Sequence, residues 1–267
     1  MSLRIQTNVE ALNAHRNLQA TSDAAAKSME RLSSGYRINR AADDAAGLAI
    51  SEKLRAQIGG LQQAQRNAQD AVSLVQTGEG AMGEVHAMLQ RVRDLAVQYN
   101  NGTLSTSDKA AITAEVAQLS AEIAKIASDT KFNGIPLLAG GGTITFQIGA
   151  DQGQTLQVST VNLTADVPGT LFDFAGTASI SAIDDAIDKV ANDRATYGAV
   201  QNRLEHTMNN LATYEENLTA SESRIRDVDM ASEMVNFTKD QILQQAGTSM
   251  LAQANQAPQA ILSLLRG

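Results

Sequence analysis

The sequence predicts a mainly α-helical protein, an elongated antiparallel coiled-coil bundle with a small β-hairpin region inserted in its middle. Three observations predict this class. Apolar residues recur at every seventh position over residues 43–98, the same period returns over residues 179–228, and strand and turn signals lie between the two segments. A helix as long as the first segment would measure about 80 Å, which a compact core does not need. Each long segment therefore requires a long partner.

The seven-residue rows of the two long segments make them each other's predicted partners. In the first segment, further apolar residues at intervals of three and four complete the seam, whereas polar residues interrupt the companion row of the second. The main rows are Leu54, Leu61, Ala68, Val75, Met82, Leu89 and Ala96 in the first segment, and Ile183, Val190, Tyr197, Leu204, Leu211, Leu218 and Ile225 in the second.

The elements before the middle of the chain follow from periodicity and capping signals. A weakly amphipathic helix is predicted over residues 3–33, with Gly35 as its left-handed cap. Asp43 or Asp44 is expected to cap the long helix, since a carboxylate accepts hydrogen bonds from the free N–H groups there. A further helix over residues 107–128 should run antiparallel to the long one, because the connecting loop is short.

The middle of the chain changes from helical to alternating periodicity. Asn133 and Gly134 predict a tight turn. Alternating apolar residues predict strands over residues 143–148 and 155–163, which a turn at 151–153 joins into a hairpin.

The two ends of the chain, by contrast, carry helices of marginal independent stability. Over residues 230–266 the apolar residues are too many to leave in water and too scattered to fold alone. Such segments order when a partner covers them. A second copy that meets a different face would make a heterologous contact, which generates a helical filament.

Composition excludes several functions. With 3% aromatic residues and no Trp, a large globular core is not expected. A net charge of −8 without a basic patch gives no electrostatic basis for binding nucleic acid, and the lack of cysteine excludes disulfides and thiolate metal sites. There is no signal-peptide pattern and no apolar run of 18 residues, so these rules alone predict a cytoplasmic protein without membrane insertion.

No catalytic, cofactor or metal site is expected. His15, His86 and His206 each lack a second ligand at helical or strand spacing. The adjacent Asp43 and Asp44 would point in different directions on a helix, which favours capping over acid–base catalysis. The three glycines from residue 140 lack the lysine and hydroxyl residue of a phosphate-binding loop.

Two sequence runs resemble the paired signatures of bacterial flagellins. Residues 32–50 (LSSGYRINRAADDAAGLAI) are similar to the N-terminal signature, and residues 223–231 (SRIRDVDMA), with 245–248 and 252–256, are similar to the C-terminal one. The resemblance implies a structural subunit without enzymatic activity. Such subunits are exported unfolded by the flagellar type III system, outside the cytoplasm, and polymerise into the extracellular filament used for swimming.

The resemblance also implies a division of the chain into core and surrounding domains. Residues 1–42 would be the N-terminal helix and spoke of the filament-core domain D0, and residues 230–267 its C-terminal helix. Residues 43–178 and 179–229 would form D1, without large outer domains. Apolar residues of both ends should become buried only in the filament; they are Val9, Leu12, Leu18, Ile242, Leu243, Met250, Leu251, Ile261 and Leu264.

Partners other than the homopolymer are implied by the same resemblance. They are an export chaperone on the C-terminal segment, the filament cap and the hook–filament junction proteins, and a vertebrate Toll-like receptor that would contact Arg91, Leu95 and Glu115. Two alternative functions remain open from the sequence. One is a hook–filament junction protein, which joins filaments; the other is a signalling coiled coil, which would have heptads but no β insert.

Overall fold

The computed structural model describes the backbone of residues 8–140, 142–174 and 179–266, and side chains up to residue 256 within those ranges. As predicted, the protein is mainly helical, with long antiparallel helices and a small β region between them. The elements in chain order are α1 (Val9–Ser34), α2 (Ala45–Tyr99), α3 (Thr106–Asp129), β1 (Lys131–Phe132), β2 (Ile135–Pro136), β3 (Thr143–Gln147), β4 (Thr155–Ser159), α4 (Leu163–Asp166), a 3₁₀ turn (Gly169–Phe172), α5 (Ile180–Arg226) and α6 (Met230–Arg266).

The chain divides into two compact units. The first contains the chain up to Ala56 and from Leu218 onwards, and therefore holds α1, α6, the first turns of α2 and the last turns of α5. The second, Gln57–Asn217, holds the remaining parts of α2 and α5 together with α3 and the β region.

Most residues of the two predicted apolar rows lie in the core of the second unit, whereas Leu54, Leu218 and Ile225 lie in the first unit and are half-buried. Tyr197 of α5 packs directly on Gly78 of α2, where a Cβ atom would lie 2.6 Å from the tyrosine Cε2. An ion pair between Arg93 and Asp184 and a hydrogen bond from Gln62 to Glu215 connect the two antiparallel helices. The row members at 7% exposure or less are Leu61, Ala68, Val75, Met82, Leu89 and Ala96 on α2, and Ile183, Val190, Tyr197, Leu204 and Leu211 on α5.

The third helix of this unit begins at a complete capping box. The Ser105 hydroxyl oxygen accepts a hydrogen bond from the Asp108 N–H, and the Asp108 carboxylate accepts one from the Ser105 N–H. These bonds satisfy two backbone donors that would otherwise lack partners. The helix then buries Ile112, Val116 and Ile123.

The predicted turns of the β region are confirmed, and one predicted strand is too long. Asn133 and Gly134 both adopt positive φ, at 48° and 79°, and connect β1 to β2. β3 and β4 pair antiparallel, with Leu156 and Val158 buried. The second strand ends at Ser159 rather than at residue 163, because the Asn162 side chain caps α4 by accepting from the Ala165 N–H.

Candidate assembly surface

Two connecting segments of the first unit pair with each other. The Arg37 N–H donates to the Arg226 carbonyl at 2.7 Å, the Val228 N–H donates to the Gly35 carbonyl at 3.0 Å, and Tyr36 bridges to Asp227. Gly35 has φ 75°, which confirms the predicted left-handed cap of α1. The segment that follows α1 and the segment that precedes α6 therefore lie side by side.

The two candidate capping aspartates have different roles. Asp44 caps α2, since its Oδ1 accepts from the Gly47 N–H at 2.9 Å. Asp43 instead accepts from the N–H groups of Asn39 and Arg40 and lies 2.6 Å from the Lys27 amine. The hydrogen bond from Lys27 is the main reason that the pKa of Asp43 falls to about 2, and the two backbone hydrogen bonds add to it.

α1 and α6 pack antiparallel through one heptad-spaced face of each helix. Near one end the Asn8 amide donates to the Ala254 carbonyl at 2.7 Å, and near the other Arg31 lies 3.6 Å from Glu233. We call this contact the α1–α6 seam. Its buried and half-buried residues are Ala11, Ala14, Leu18, Thr21, Ala25, Ser28 and Leu32 on α1, and Glu233, Phe237, Asp240, Gln244, Gly247, Leu251 and Ala254 on α6.

Two of the predicted filament-core contact residues, Leu18 and Leu251, are half-buried in the α1–α6 seam of the single chain. Gly247 allows this approach, because a Cβ atom there would lie 3.2 Å from Leu18 Cδ1.

Five other predicted contact residues remain exposed in the single chain. Val9 and Leu12 of α1 are 53% and 58% exposed, and Ile242, Leu243 and Met250 of α6 are between 46% and 64% exposed. Ile261 and Leu264, which were predicted with them, lie outside the described side chains.

The exposed apolar residues of α6 lie on a face that α1 does not cover. Val235 and Ile242 are seven residues apart, as are Leu243 and Met250, and neither pair falls on a seam position. We call this the outer face of α6 and define it by these four residues and Met234. A groove lined by Met234, Val235, Thr238, Lys239 and Ile242 runs along it. The sequence analysis missed Met234 and Val235, although the interval of seven from Val235 to Ile242 was a readable signal.

Comparison with known proteins decides the family. Residues 5–143 match the bacterial flagellin N-terminal helical region, and residues 180–265 match the C-terminal helical region. The chain belongs to the bacterial flagellin family. This flagellin is 52% identical to a flagellin from Halalkalibacterium halodurans, with 98% of this chain and 99% of the relative covered.

Two further similarities support the assignment. The chain is 48% identical to a flagellin from Bacillus subtilis over 99% of its own length and all of the relative. The crystal structure of Bacillus cereus flagellin, 40% identical, superposes with a TM-score of 0.50 and covers 55% of this chain and 88% of that one. Members of this family are structural proteins rather than enzymes.

The residues that the resemblance implied for receptor contact do not share one surface in this flagellin. Arg91 and Glu115 are exposed and form an ion pair at 2.8 Å between α2 and α3. Leu95, by contrast, is 2% exposed and packs in the core of the second unit. Its side chain is therefore not available for a surface contact in this conformation, and motif matching could not reveal this because it carries no information on burial.

Within the described part of the chain, His, Asp and Glu side chains form no group of three that could hold a metal ion. His15 and His206 stand apart from such groups, and Nε2 of His86 lies 3.0 Å from the Gln90 amide nitrogen. A search of the same residues finds no helix with the length and apolar character needed to cross a bilayer.

Proposed function

We propose that the outer face of α6 is the surface through which each subunit contacts its neighbours in the bacterial flagellar filament. The chain is a structural subunit of that extracellular filament, and self-polymerisation belongs to its family. The observation that supports this particular surface is the exposure of Val235 and Ile242, at 69% and 61%, on a helix whose opposite face is already occupied.

The position of this face relative to the α1–α6 seam favours an open assembly. Because α6 already uses its seam face within the subunit, a neighbour that covers the outer face must use a surface different from the seam. Where that surface is also different from the neighbour's own outer face, the contact is heterologous and propagates into a helical filament unless its rotation closes a ring.

The apolar chemistry of the outer face supplies a driving force. Burial of one large aliphatic side chain contributes about 1.5–3 kcal/mol, which must offset the loss of translational and rotational freedom on association. Several such side chains on every subunit are therefore needed, and the loss of two should be measurable.

Polymerisation of a charge-substituted subunit tests this surface. Val235→Asp combined with Ile242→Asp should raise the critical concentration for filament growth at least tenfold, because two carboxylates would be buried without partners. Sedimentation with electron microscopy measures filament yield, and circular dichroism checks that the subunit keeps its helices.

A matched control adds the same charge elsewhere. Ser107→Asp with Gln118→Asp places two carboxylates on exposed positions of α3 and should leave the critical concentration close to that of the parent. If the α6 variant polymerises at the parent's critical concentration, the outer face is not the contact.

A hook–filament junction protein is the nearest alternative function, and growth behaviour distinguishes the two. A filament subunit elongates fragments of its own filament without limit. A junction protein, by contrast, binds to the filament end and growth then stops. Elongation of fluorescent filament fragments by the purified chain, followed by microscopy, separates these outcomes.

The export chaperone is proposed to cover the outer face of α6 before assembly. This face lies in the C-terminal segment, residues 228–267, and its exposed apolar side chains would otherwise make subunits polymerise or aggregate in the cytoplasm. A chaperone that binds there should slow filament growth and should bind the Val235→Asp, Ile242→Asp variant at least tenfold more weakly than the parent. Undiminished binding would place the chaperone elsewhere. Export through the type III channel and contact with cap and junction proteins at the filament ends belong to the same proposal.

Recognition by a vertebrate Toll-like receptor is proposed for the exposed ion pair of Arg91 and Glu115. Both side chains stand free of the core, at 54% and 45% exposure, so a receptor could replace their mutual contact. Receptor binding should weaken in Arg91→Ala and in Glu115→Ala, measured by surface plasmon resonance. Binding that survives Arg91→Ala combined with Glu115→Ala would contradict recognition at this patch.

A further inference from the structure

The methionines of this chain differ sharply in their exposure. The sequence has eight methionines and no cysteine, so methionine is its only sulfur-containing residue. Met82 is fully buried in the core of the second unit. Met29, Met230, Met234 and Met250 are between 48% and 64% exposed. An oxidant in solution can therefore reach some of these sulfur atoms and not others.

We propose that Met234 and Met250 are two oxidation-sensitive modification sites that control the assembly competence of the free subunit. A peroxide would convert both thioethers to sulfoxides before assembly, and the modified subunit would fail to join a filament. This inference rests on the proposed role of the outer face of α6. It adds a chemical class of modifier, a peroxide, and a consequence for polymerisation.

The chemistry balances with the peroxide as sole oxidant. The thioether sulfur attacks one peroxide oxygen, the O–O bond breaks, and an S–O bond forms. Sulfur loses two electrons, the peroxide is reduced, and with hydrogen peroxide the other product is water. The step is reversible by methionine sulfoxide reductases, which return the apolar side chain.

The positions of the two methionines explain why their oxidation would matter. Met234 lines the groove of the outer face beside Val235 and Ile242. Met250, which is 64% exposed, follows Leu243 by seven residues on another part of the α6 surface that the α1–α6 seam leaves uncovered. A sulfoxide is polar, so it would bring an unpaired hydrogen-bond acceptor into a contact that depends on dry apolar packing.

Met29 provides an internal control. It belongs to α1 and is 56% exposed, so it should oxidise, yet it lies outside the outer face of α6. Met230 does not serve as a control, because it lies one turn before Met234 on the same side of α6. Oxidation at Met29 alone should leave polymerisation close to normal.

Brief treatment of the free subunit with hydrogen peroxide, followed by peptide mass spectrometry and a polymerisation assay, tests the proposal. Met234 and Met250 should oxidise at least tenfold faster than Met82, and the critical concentration should rise about tenfold. Sulfoxide reductases should restore it. The same peroxide dose given to finished filaments should leave Met234 and Met250 largely unmodified.

Two variants assign the effect to the residues. Met234→Leu with Met250→Leu should polymerise normally after peroxide treatment, since leucine keeps the apolar volume without the sulfur. Met29→Leu should remain as sensitive as the parent.

Several results would overturn the proposal. They are equal oxidation of Met82 and the two outer-face methionines, unchanged polymerisation of the oxidised parent, or lasting sensitivity in the Met234→Leu, Met250→Leu variant. If Val235→Asp with Ile242→Asp blocks assembly while peroxide does not, only the oxidation inference fails. If neither perturbation affects assembly, the proposed surface fails as well.

Discussion

Gly78→Ala tests the packing of the two long helices, because two opposing effects of this substitution can be separated. In the interior of a helix, alanine is favoured over glycine by up to about 1 kcal/mol. At Gly78, however, the added Cβ would lie 2.6 Å from Cε2 and 3.4 Å from Cδ2 of Tyr197, whose side chain is 2% exposed. Overpacking of this kind costs about 1–3 kcal/mol. We expect a net loss of about 1 kcal/mol.

Gly80→Ala is the matched control, since it lies in the same helix and its added Cβ would meet no atom within 4 Å. This variant should gain about 0.5–1 kcal/mol from helix propensity alone. The free energy of unfolding, measured with urea and circular dichroism on the unassembled subunit, should therefore differ between the two variants by about 1–3 kcal/mol. If Gly78→Ala is as stable as Gly80→Ala, the close packing of Tyr197 on α2 is wrong.

Two further predictions concern the hairpin and the pH dependence of stability. Gly60→Ala should destabilise the docking of the β3–β4 turn, because its Cβ would lie 2.9 Å from the Ala150 Cβ, whereas Gly59→Ala meets no neighbour; urea unfolding should rank the second variant as the more stable. The pKa of Asp193 is raised, mainly by burial and then by the charge of Asp166, so its folded form holds a proton more tightly than the unfolded chain. Its contribution to stability is therefore present below the ordinary pKa of 3.8 and is lost as the pH rises through the folded pKa. Asp193→Asn should stabilise the subunit relative to the parent at pH 7 and not at pH 3, measured by thermal unfolding; an equal effect at both pH values would contradict this.

The long helices α2 and α5 were predictable because each buries large side chains against the other at an interval of seven residues. Leu61, Met82 and Leu89 on α2, and Val190 and Leu204 on α5, make a seven-residue signal that polar surface residues do not obscure. The turn at residues 133–134 was equally predictable, because both residues adopt positive φ and asparagine and glycine tolerate it.

The α1–α6 seam was not predictable in the same way, because its chemistry is different. Alanine, serine and glycine pack through close approach of the backbones, and such residues do not stand out as apolar. Leu18 consequently looked unpartnered, although it rests on Gly247. The burial of Leu95 was missed for a related reason. Leu95 lies beside Ala96 of the main α2 row, and a third packed helix widens the buried face beyond a two-helix seam.

The absence of native cysteine allows a direct measurement of the outer face of α6. With Ile242→Cys as the only thiol, a maleimide should react readily with the free subunit and at least tenfold more slowly with filaments, because assembly covers this position. Leu204→Cys, at a site that is fully buried in the subunit, should react slowly in both states. Equal labelling of Ile242→Cys in subunits and in filaments would contradict the claim that this face carries the contact between subunits.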